Sequence, residues 1–378
     1  MKRIHYIFLI AIMLFSCEKP ISEFQSKNFI KFFGSGYESK GNDVIELTDG
    51  GYLITGYDLV NGSDQQIYVA KVDINGNVVW SNTFGDNGKK EEGKVAVELS
   101  DCYLFAGTSV VESSGRINSF IMKTNQYGDV KWRVLVGDPS FNVSINDIVV
   151  NGGNIYVAGF SDALAANRTD YYIAQIDTAT HEKVWEKYFD YSTNSSFKRI
   201  FVQEEHLLIA GTYGIENNIS ITTNALDHFG PQTLPSLGST GESMADAYLA
   251  GDQLYVLANN GLISSKLYKY NTTNQSAESL GDPINSIVGK SVAYNEDGTL
   301  MICGESNESG NSEINFIKVN VDGTTEYGQQ VFRTFPGTVE RIISTKDKGL
   351  ILIGSTNPTY GTNIQLIKTD KDLFLLKP

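Results

Sequence analysis

Seven charged or polar side chains recur at one position of a repeated pattern, and they are the residues of this sequence best placed to act together. Their signs alternate along the chain and one member is a serine: Asp43, Lys94, Asp147, Arg199, Asp246, Ser291 and Arg341. Carboxylates beside cations can neutralise one another as ion pairs between repeats. The functional alternative is a polar funnel that binds a ligand or a partner.

A second set of residues follows a glycine-ended strand in each repeat and is predicted to lie in loops around such a funnel. Tyr57 and Tyr213 are the tyrosines of this set, and tyrosine rings can stack on sugars. The other members are Ser109, Phe160, Asn260, Glu305 and Thr356. We include Tyr57 and Tyr213 in the candidate mouth of the funnel.

No catalytic residues can be assigned from the sequence. Acidic side chains occur in every repeat at turn positions, so none stands out as a general acid or base. The nucleophile elbow, phosphate loop and Asp-box patterns do not occur in the sequence.

Metal sites are not predicted either. The mature histidines His181, His206 and His228 fall in or near turns of the third and fourth repeats, where exposed turn residues are expected. The stretch from Asp73 to Asn77 resembles a calcium loop in part, but it lacks the later bidentate glutamate, and a hairpin turn is predicted there. We expect no metal and no cofactor.

These candidate residues belong to a unit of about fifty residues that occurs seven times. Each unit carries four strand signals, and the second strand is predicted to end in a small residue: Gly56, Gly107, Gly159, Gly211, Ala258, Gly304 and Gly354. Four antiparallel strands in a unit of this length are typical of a propeller blade. The sequence therefore predicts an all-β fold over residues 29–378, a seven-bladed β-propeller of four-stranded antiparallel blades.

The last blade is predicted to be completed by the amino terminus, because a propeller left open would expose two strand edges. Residues 29–34 align with the outer strand at residues 81–85, yet no earlier strands of a blade precede them. Residues 373–376 could extend the same blade or compete for that place. The recurrent glycine is predicted to let neighbouring blades approach, with Leu53, Phe105 and Val157 filling the space between blades.

The first seventeen residues are typical of a bacterial lipoprotein leader. A short basic region precedes the apolar run from Ile4 to Leu14, and Ser16-Cys17 resembles the end of a lipobox. The resemblance implies lipidation at Cys17 and an outer-membrane anchor, with residues 18–28 as a flexible tether. An ordinary secretory leader is the alternative. Whether the anchored protein faces the periplasm or the outside stays open.

Composition narrows the class of partner. The chain has 378 residues and a formal net charge of −14, and such an acidic protein repels phosphate backbones, so nucleic acid is not an expected partner. Cys102 and Cys303 lie about two hundred residues apart on strand-like segments and are expected to be buried free thiols rather than a disulfide. We expect a monomer.

Several repeats resemble those of quinoprotein-like propellers. The resemblance rests on residues 70–80 and 174–185, and residues 65–80 and 153–185 are also similar to kelch repeats. The whole mature chain resembles propeller lipoproteins of Gram-negative bacteria, among which one quinoprotein-like member is a non-enzymatic scaffold. Quinone-dependent members have adjacent cysteines, which this sequence lacks, so a quinone cofactor is not expected.

Two functions of different classes remain open at this point. The first is a lipid-anchored binding or scaffold module for a protein or glycan partner, and the alternative is a glycan hydrolase or lyase that uses the same face of the propeller. Two carboxylates at glycosidase separation in one cleft would favour the enzyme. A mouth closed by salt bridges would favour binding.

Overall fold

The computed structural model describes residues 28–86, 88–165, 167–189, 193–214, 218–226, 228–233, 237–306, 313–332, 337–356, 361–371, 373 and 375. For residues 224–225, 228–233 and 325–332 the backbone alone is described. Cys17, the leader and all but the last residue of the tether lie outside the described residues. Their predicted lipidation and anchoring therefore stay predictions.

Seven four-stranded antiparallel sheets make up the described chain, which confirms the predicted fold class. Blade 1 contains β2 (Ser39–Glu46), β3 (Tyr52–Val60), β4 (Asp64–Val72) and β5 (Val78–Phe84). Blade 2 contains β6 (Lys89–Glu98), β7 (Cys102–Val111), β8 (Arg116–Asn125) and β9 (Val130–Val136). Blade 3 contains β10 (Val143–Asn151), β11 (Asn154–Ser161), β12 (Asp170–Asp177) and β13 (Lys183–Phe189).

The remaining blades follow the same order. Blade 4 contains β14 (Ser195–Gln203), β15 (His206–Tyr213), β16 (Asn218–Ala225) and β17 (His228–Thr233). Blade 5 contains β18 (Glu242–Ala250), β19 (Gln253–Asn260), β20 (Ser264–Asn271) and β21 (Ser276–Asn285). Blade 6 contains β22 (Val288–Tyr294), β23 (Thr299–Ser306), β24 (Glu313–Asn320) and β25 (Thr325–Phe332). Blade 7 contains β26 (Gly337–Ser344), β27 (Leu350–Thr356), β28 (Ile364–Thr369) and β1 (Phe29–Phe33).

The blades form a closed ring whose hydrophobic core is divided among the junctions between them. The first strand given for each blade is the innermost one, at the propeller axis. Each innermost strand contacts that of the next blade, and β26 of blade 7 contacts β2 of blade 1. One buried apolar cluster lies at each of the seven junctions. Leu53 and Phe105 share the cluster between blades 1 and 2, and Val157 belongs to the next one. The predicted filling of the space between blades is confirmed.

Burial along the strands follows from this arrangement. The second strand of a blade has a neighbouring blade on both faces, so β7 is buried over eight consecutive residues, of which only Thr108 and Ser109 are polar. The outer strand β5 instead alternates between exposed and half-buried residues, because one of its faces meets solvent.

Strand β1 completes blade 7 in the same register that an outer strand has in blade 1. Phe33 pairs with Ile364 and Phe29 with Lys368, as Phe84 pairs with Ile67 and Trp80 with Lys71. The spacing between paired residues is therefore identical in the two blades. The prediction that the amino-terminal strand closes the last blade is confirmed.

Phe29 also occupies the place of the outer-strand tryptophan. The Trp80 indole packs on Gly128, in a turn of blade 2, and its Nε1 donates to the carbonyl of Gln126 at 2.9 Å. Phe29 packs in the same way on Gly76, in the equivalent turn of blade 1. Strand β1 thus bonds to its own blade and packs on the next one.

The carboxyl-terminal segment does not take a strand position at the residues the structure describes. Leu373 is buried in the cluster between blades 6 and 7, against which Ile30 of β1 and Leu375 also pack. These leucines cover the apolar side of β1 rather than compete with it. Residues 374 and 376–378 lie outside the described residues.

The recurrent glycine has a different cause from the predicted one. It lies within the second strand, not at its end, and a Cβ at Gly159 would be 1.9 Å from the carbonyl oxygen of Ser144 on the innermost strand of the same blade. Gly56, Gly107, Gly211 and Gly354 meet the equivalent carbonyl. The close approach is therefore inside each blade, and the interpretation as contact between blades was wrong.

We expect Gly159→Ala to lower the free energy of unfolding by about 3 kcal/mol, since backbone must move to admit the methyl group. The matched control is Ala258→Gly, at the equivalent position of blade 5, where the methyl group is already accommodated and buried. That change should cost only about 1 kcal/mol. Urea unfolding of both variants tests the assignment, which fails if the alanine at 159 is tolerated as well as the glycine at 258.

Cys102, Cys303 and the three histidines lie in strands or turns of the blades. Cys102 and Cys303 are buried and unpaired, as expected. His181 lies in the turn after β12, where its ring stacks on Trp132 at 4.4 Å, and His206 and His228 begin β15 and β17. The described part of the chain contains no helix with the length and apolar character needed to span a membrane.

Candidate functional site

Each innermost strand has a β-bulge beside the repeat position of the seven predicted charged or polar residues, which we call the ring. Register shifts at the bulge of every blade leave one residue without a partner on the second strand. The next residue is paired again and carries the ring side chain: Asp43, Asp147, Arg199, Asp246, Ser291 and Arg341. These six residues therefore share one level of the propeller axis.

Lys94 does not belong to that level. In blade 2 the register passes from Gly93 to Val95, so Lys94 is the bulged residue and Val95 is the equivalent of Asp43. The sequence alignment was wrong by one residue in this blade, so the predicted alternation of charge, interrupted only at Ser291, is not present at this level. Lys94 lies instead in a second set of seven bulged residues, which we call the bulge tier: Asn42, Lys94, Asn146, Lys198, Ala245, Lys290 and Glu340.

The ring side chains cap backbone N–H groups at the free edges of the innermost strands. Asp147 accepts hydrogen bonds from Ile148 of its own blade and Ile200 of the next, both at 3.0 Å. Asp246 does the same for Ala247 at 2.8 Å and Val292 at 3.0 Å. A buried N–H group without a partner costs stability, so each aspartate joins two blades.

The remaining N–H groups are capped by Asp43 and Ser291. Asp43 accepts from Ala96 of blade 2 at 2.9 Å and also from Val44. The hydroxyl of Ser291 accepts from Ile342 of blade 7 at 3.2 Å and donates to Asp246 at 2.6 Å. Four side chains thus cap one N–H group in each of the seven blades, which explains why acidic residues recur in alternate blades.

The two ring arginines neutralise these aspartates. Arg199 Nε donates to Asp246 Oδ1 at 2.5 Å, and its Nη1 lies 3.6 Å from Asp147. Arg341 lies 3.5 Å from Asp43 and 3.4 Å from Asp246. The ring side chains therefore form one connected ion-pair network, and the structural interpretation of the ring as pairing between blades accounts for these contacts.

Burial perturbs the ionisation of the ring. It raises the pKa of Asp43 to about 7 and that of Asp147 to about 6, against the hydrogen bonds and arginines that favour the charged forms. Burial opposes the charge of Arg199, but Asp246 and Asp147 outweigh it and raise the pKa of the guanidinium.

Replacing Asp43 with asparagine should flatten the dependence of stability on pH. A folded-state pKa raised from 3.8 to about 7 means that the native state holds the proton longer than the unfolded chain. This contribution to stability is present in acid and is lost as the pH rises towards 7, by on the order of 4 kcal/mol. Wild type should therefore lose more stability between pH 5 and pH 8 than Asp43→Asn.

Urea unfolding at several pH values measures that difference. The control is Asp73→Asn. Asp73 lies in the turn after β4, and hydrogen bonds from Asn77 and Asn75 outweigh the burial of this carboxyl and lower its pKa. The stability curve of that variant should run parallel to that of wild type from pH 5 to 8, because the slopes of the two curves can differ only below about pH 4. Parallel curves for wild type and Asp43→Asn from pH 5 to 8 would contradict the expected raised pKa.

Above the ring lies an open polar cavity of about 310 Å³, which we call the channel mouth. The whole bulge tier lines it, together with Lys40 and Glu92 from the beginnings of their strands and five residues of the ring level. Asp43, Arg199, Asp246 and Arg341 form its charged floor, whereas Asp147 and Ser291 lie outside its lining. Of the charged ring predicted from sequence, the structure brings Lys94 and these four side chains to one cavity.

Contacts in the bulge tier also run from blade to blade. Asn42 donates to the carbonyl of Gly93 at 2.8 Å, and Asn146 donates to the carbonyl of Phe197 at 2.6 Å. Lys94 Nζ donates to the hydroxyl of Ser144 at 2.9 Å. These hydrogen bonds fix the asparagine amides and the Lys94 ammonium group between neighbouring blades.

Tyr57 and Tyr213 lie apart from the channel mouth. Both are inside strands rather than in loops, and neither lines the cavity. The Tyr57 hydroxyl donates to Glu38 at 2.8 Å, and Tyr213 packs against the apolar cluster between blades 3 and 4. Their predicted part in binding stays a prediction.

Sequence reasoning missed Lys198, Lys290 and Glu340, which line the channel mouth. Each is one residue before the ring position, where a β-bulge turns the side chain towards the cavity. A signal was present: polar residues occur at this place in six of the seven repeats. Aligning the innermost strands on Gly41, Gly93 and Gly289 would have found it, since all three precede the bulge.

No protein family and no curated protein matches the sequence. Among solved structures the chain is similar to puromycin hydrolase, with a TM-score of 0.57 and 9% identity over 89% of this chain and 53% of that one. It is also similar to a puromycin-hydrolyzing peptidase of Mycobacterium tuberculosis (TM-score 0.56, 8% identity, 92% of this chain and 51% of that one).

A third likeness is to the extracellular domain of a proposed one-component system of B. thetaiotaomicron (TM-score 0.53, 11% identity, 89% of this chain and 39% of that one). The chain spans about half the length, or less, of these structures. Identities this low show the propeller fold alone.

Proposed function

We propose that this protein is a non-enzymatic binding module, anchored to the outer membrane by lipid on Cys17, which presents the mouth end of the propeller to a protein or glycan partner. The lipobox resemblance of the leader supports the anchor, and the repeat pattern supports kinship with quinoprotein-like and kelch-like propellers. The channel mouth is the proposed contact.

The observation that carries this proposal is the pairing of the acids in the channel mouth. Every carboxylate that lines the described cavity has a cation beside it. The pairs are Glu92 with Lys94 at 3.7 Å, Glu340 with Lys40 at 3.0 Å, Asp43 with Arg341 at 3.5 Å and Asp246 with Arg199 at 2.5 Å. Carboxylates held in this way suit polar recognition better than they suit a pair of catalytic acids.

Exposed apolar residues at the same end of the propeller add a contact surface. The turn between β19 and β20 ends at this face, and its Leu262 and Ile263 are 85% and 72% exposed. Leu164, between β11 and β12, is also exposed there. Exposed apolar side chains beside a polar cavity offer a partner apolar area to bury on binding.

Affinity capture from native envelopes, with the anchored protein as bait, tests the proposal. The double variant Leu262→Asp/Ile263→Asp should lose the partner that wild type recovers. Tyr127→Asp is the matched control, because Tyr127 is exposed to 76% in a turn at the opposite end of the propeller. Equal recovery by all three proteins, or turnover of a glycan on an array, would contradict the proposed function.

A further inference from the structure

We propose that the channel mouth binds an oxyanion, the carboxylate or phosphate group of a small ligand, between Lys94 and Lys198. This inference rests on the proposed function and adds the chemical class of the ligand. The two lysines occupy the same register position in blades 2 and 4, and Asn146 of blade 3 lies between them in the bulge tier. All three line the same cavity.

Among the residues that the structure describes, Lys198 is the cation of the channel mouth that lacks a counter-charge. It has neither an ion pair nor a hydrogen bond with any residue that the structure describes, and its side chain is exposed in the cavity. Its neighbour in sequence, Arg199, is already engaged by Asp246 and Asp147. An ammonium group beside a saturated ion-pair network favours a ligand that brings its own negative charge.

Lys94 is only partly neutralised. Its nearest carboxylate oxygen, on Glu92, is 3.7 Å away, and its short contact is with the neutral hydroxyl of Ser144. Lys40 and Lys290, by contrast, lie 3.0 Å from Glu340 and 3.5 Å from Glu305. Lys94 and Lys198 therefore have the greatest unmet demand for negative charge among the lysines of the cavity.

The ionisation of both lysines agrees with this geometry. Burial lowers the pKa of Lys94, with Lys198 and Lys40 adding repulsion that Glu92 only partly offsets. Desolvation of the ammonium group within the cavity, together with the nearby Arg199, lowers the pKa of Lys198 as well. An anion between the two ammonium groups would relieve their repulsion and stabilise the charged forms that burial disfavours.

The cavity limits the ligand to a small polar molecule. A volume of about 310 Å³ is at the lower end for small-molecule sites, and the lining residues are mostly charged or amide side chains. No aromatic side chain is among them. Recognition must therefore come from charge and hydrogen bonds, for which a sugar acid or a phosphorylated sugar is well suited.

Isothermal titration at low ionic strength and pH 7 tests the inference with four probes: inorganic phosphate, glucuronate, glucose 6-phosphate and glucose. We expect the charged probes to bind and neutral glucose not to bind. Phosphate distinguishes the source of the anion: equal affinity for phosphate and the phosphorylated sugar assigns the site to the free ion, and weaker phosphate binding assigns it to the sugar derivative.

Two variants locate the bound anion. Lys198→Gln and Lys94→Gln should each weaken binding of the charged probes at least tenfold while the melting temperature stays near that of wild type. Lys131→Gln is the matched control, since Lys131 is exposed on the outer strand β9. Higher salt should weaken binding to wild type.

The inference is overturned if glucose binds as tightly as the charged probes, if none of the probes binds at millimolar concentration, or if Lys198→Gln and Lys94→Gln bind like wild type. Should Lys94→Gln fail to fold, Lys198→Gln still decides, because its exposed side chain makes no contact that the fold needs. Capture of a partner that depends on Leu262 and Ile263, in the absence of anion binding, would leave the proposed function standing and remove only this inference.

Discussion

A chain that begins at residue 35, without strand β1, is expected to lose its stable monomeric fold. The deletion exposes the edge of β28 and removes Phe33, Ile30 and Phe29 from the clusters on either side of blade 7. Burial of these three side chains contributes on the order of 5 kcal/mol. This is a large part of the net stability of a typical domain.

The control is a chain that begins at residue 28 and keeps the whole of β1. It should melt like the full mature protein, whereas the shorter chain should associate through its open edge or unfold. Size-exclusion chromatography and thermal melting distinguish these outcomes. A peptide of residues 28–36 added to the shorter chain should restore the monomer, and a shorter chain that stays monomeric with an unchanged melting temperature would refute the closing role of β1.

The second large effect is expected from Asp246→Ala. The substitution leaves the N–H groups of Ala247 and Val292 without their acceptor and takes the closest counter-charge from Arg199. Breaking a buried ion pair on one side costs about 3 to 5 kcal/mol, because the other charge stays buried. A fall in the free energy of unfolding of that size is the expected result.

Denaturant unfolding of the purified variant gives the measurement. Asp252→Ala is the matched control in the same blade, because Asp252 is in an exposed turn, and it should melt close to wild type. The stability of Asp246→Asn should lie between that of Asp246→Ala and that of wild type, since the amide oxygen can still accept a hydrogen bond from one of the N–H groups. Equal stability of Asp246→Ala and wild type would show that the ring does not hold the blades together.

Local signals in the sequence were sufficient to predict the blades and the closing strand. Strand periodicity, turn glycines and the alignment of residues 29–34 with an outer strand depend on neighbours in the chain, so they can be read without a structure. Phe33 and Phe84 occupy the same register position in their blades, so the sequence alignment of these two outer strands is correct to the residue.

The candidate site was harder to predict, because a β-bulge changes the side of the strand by inserting a single residue. Blade 2 has Lys94 at the bulge and Val95 at the ring, and a charged residue next to an apolar one drew the alignment to the wrong position. The role of the glycine was missed for a related reason. The carbonyl that Gly159 avoids is brought close by pairing across the blade, which sequence distance does not reveal.

The way the axial amides are shared makes the number of blades matter. Asp43 joins blades 1 and 2, Asp147 joins blades 3 and 4, and Asp246 joins blades 5 and 6. The three aspartates thus accept from the axial N–H groups of six blades, and the N–H group of the seventh blade donates to the hydroxyl of Ser291. A propeller that gained or lost blades would keep its axial N–H groups bonded only if the number of blades changed by two, or if another single acceptor served the unpaired blade.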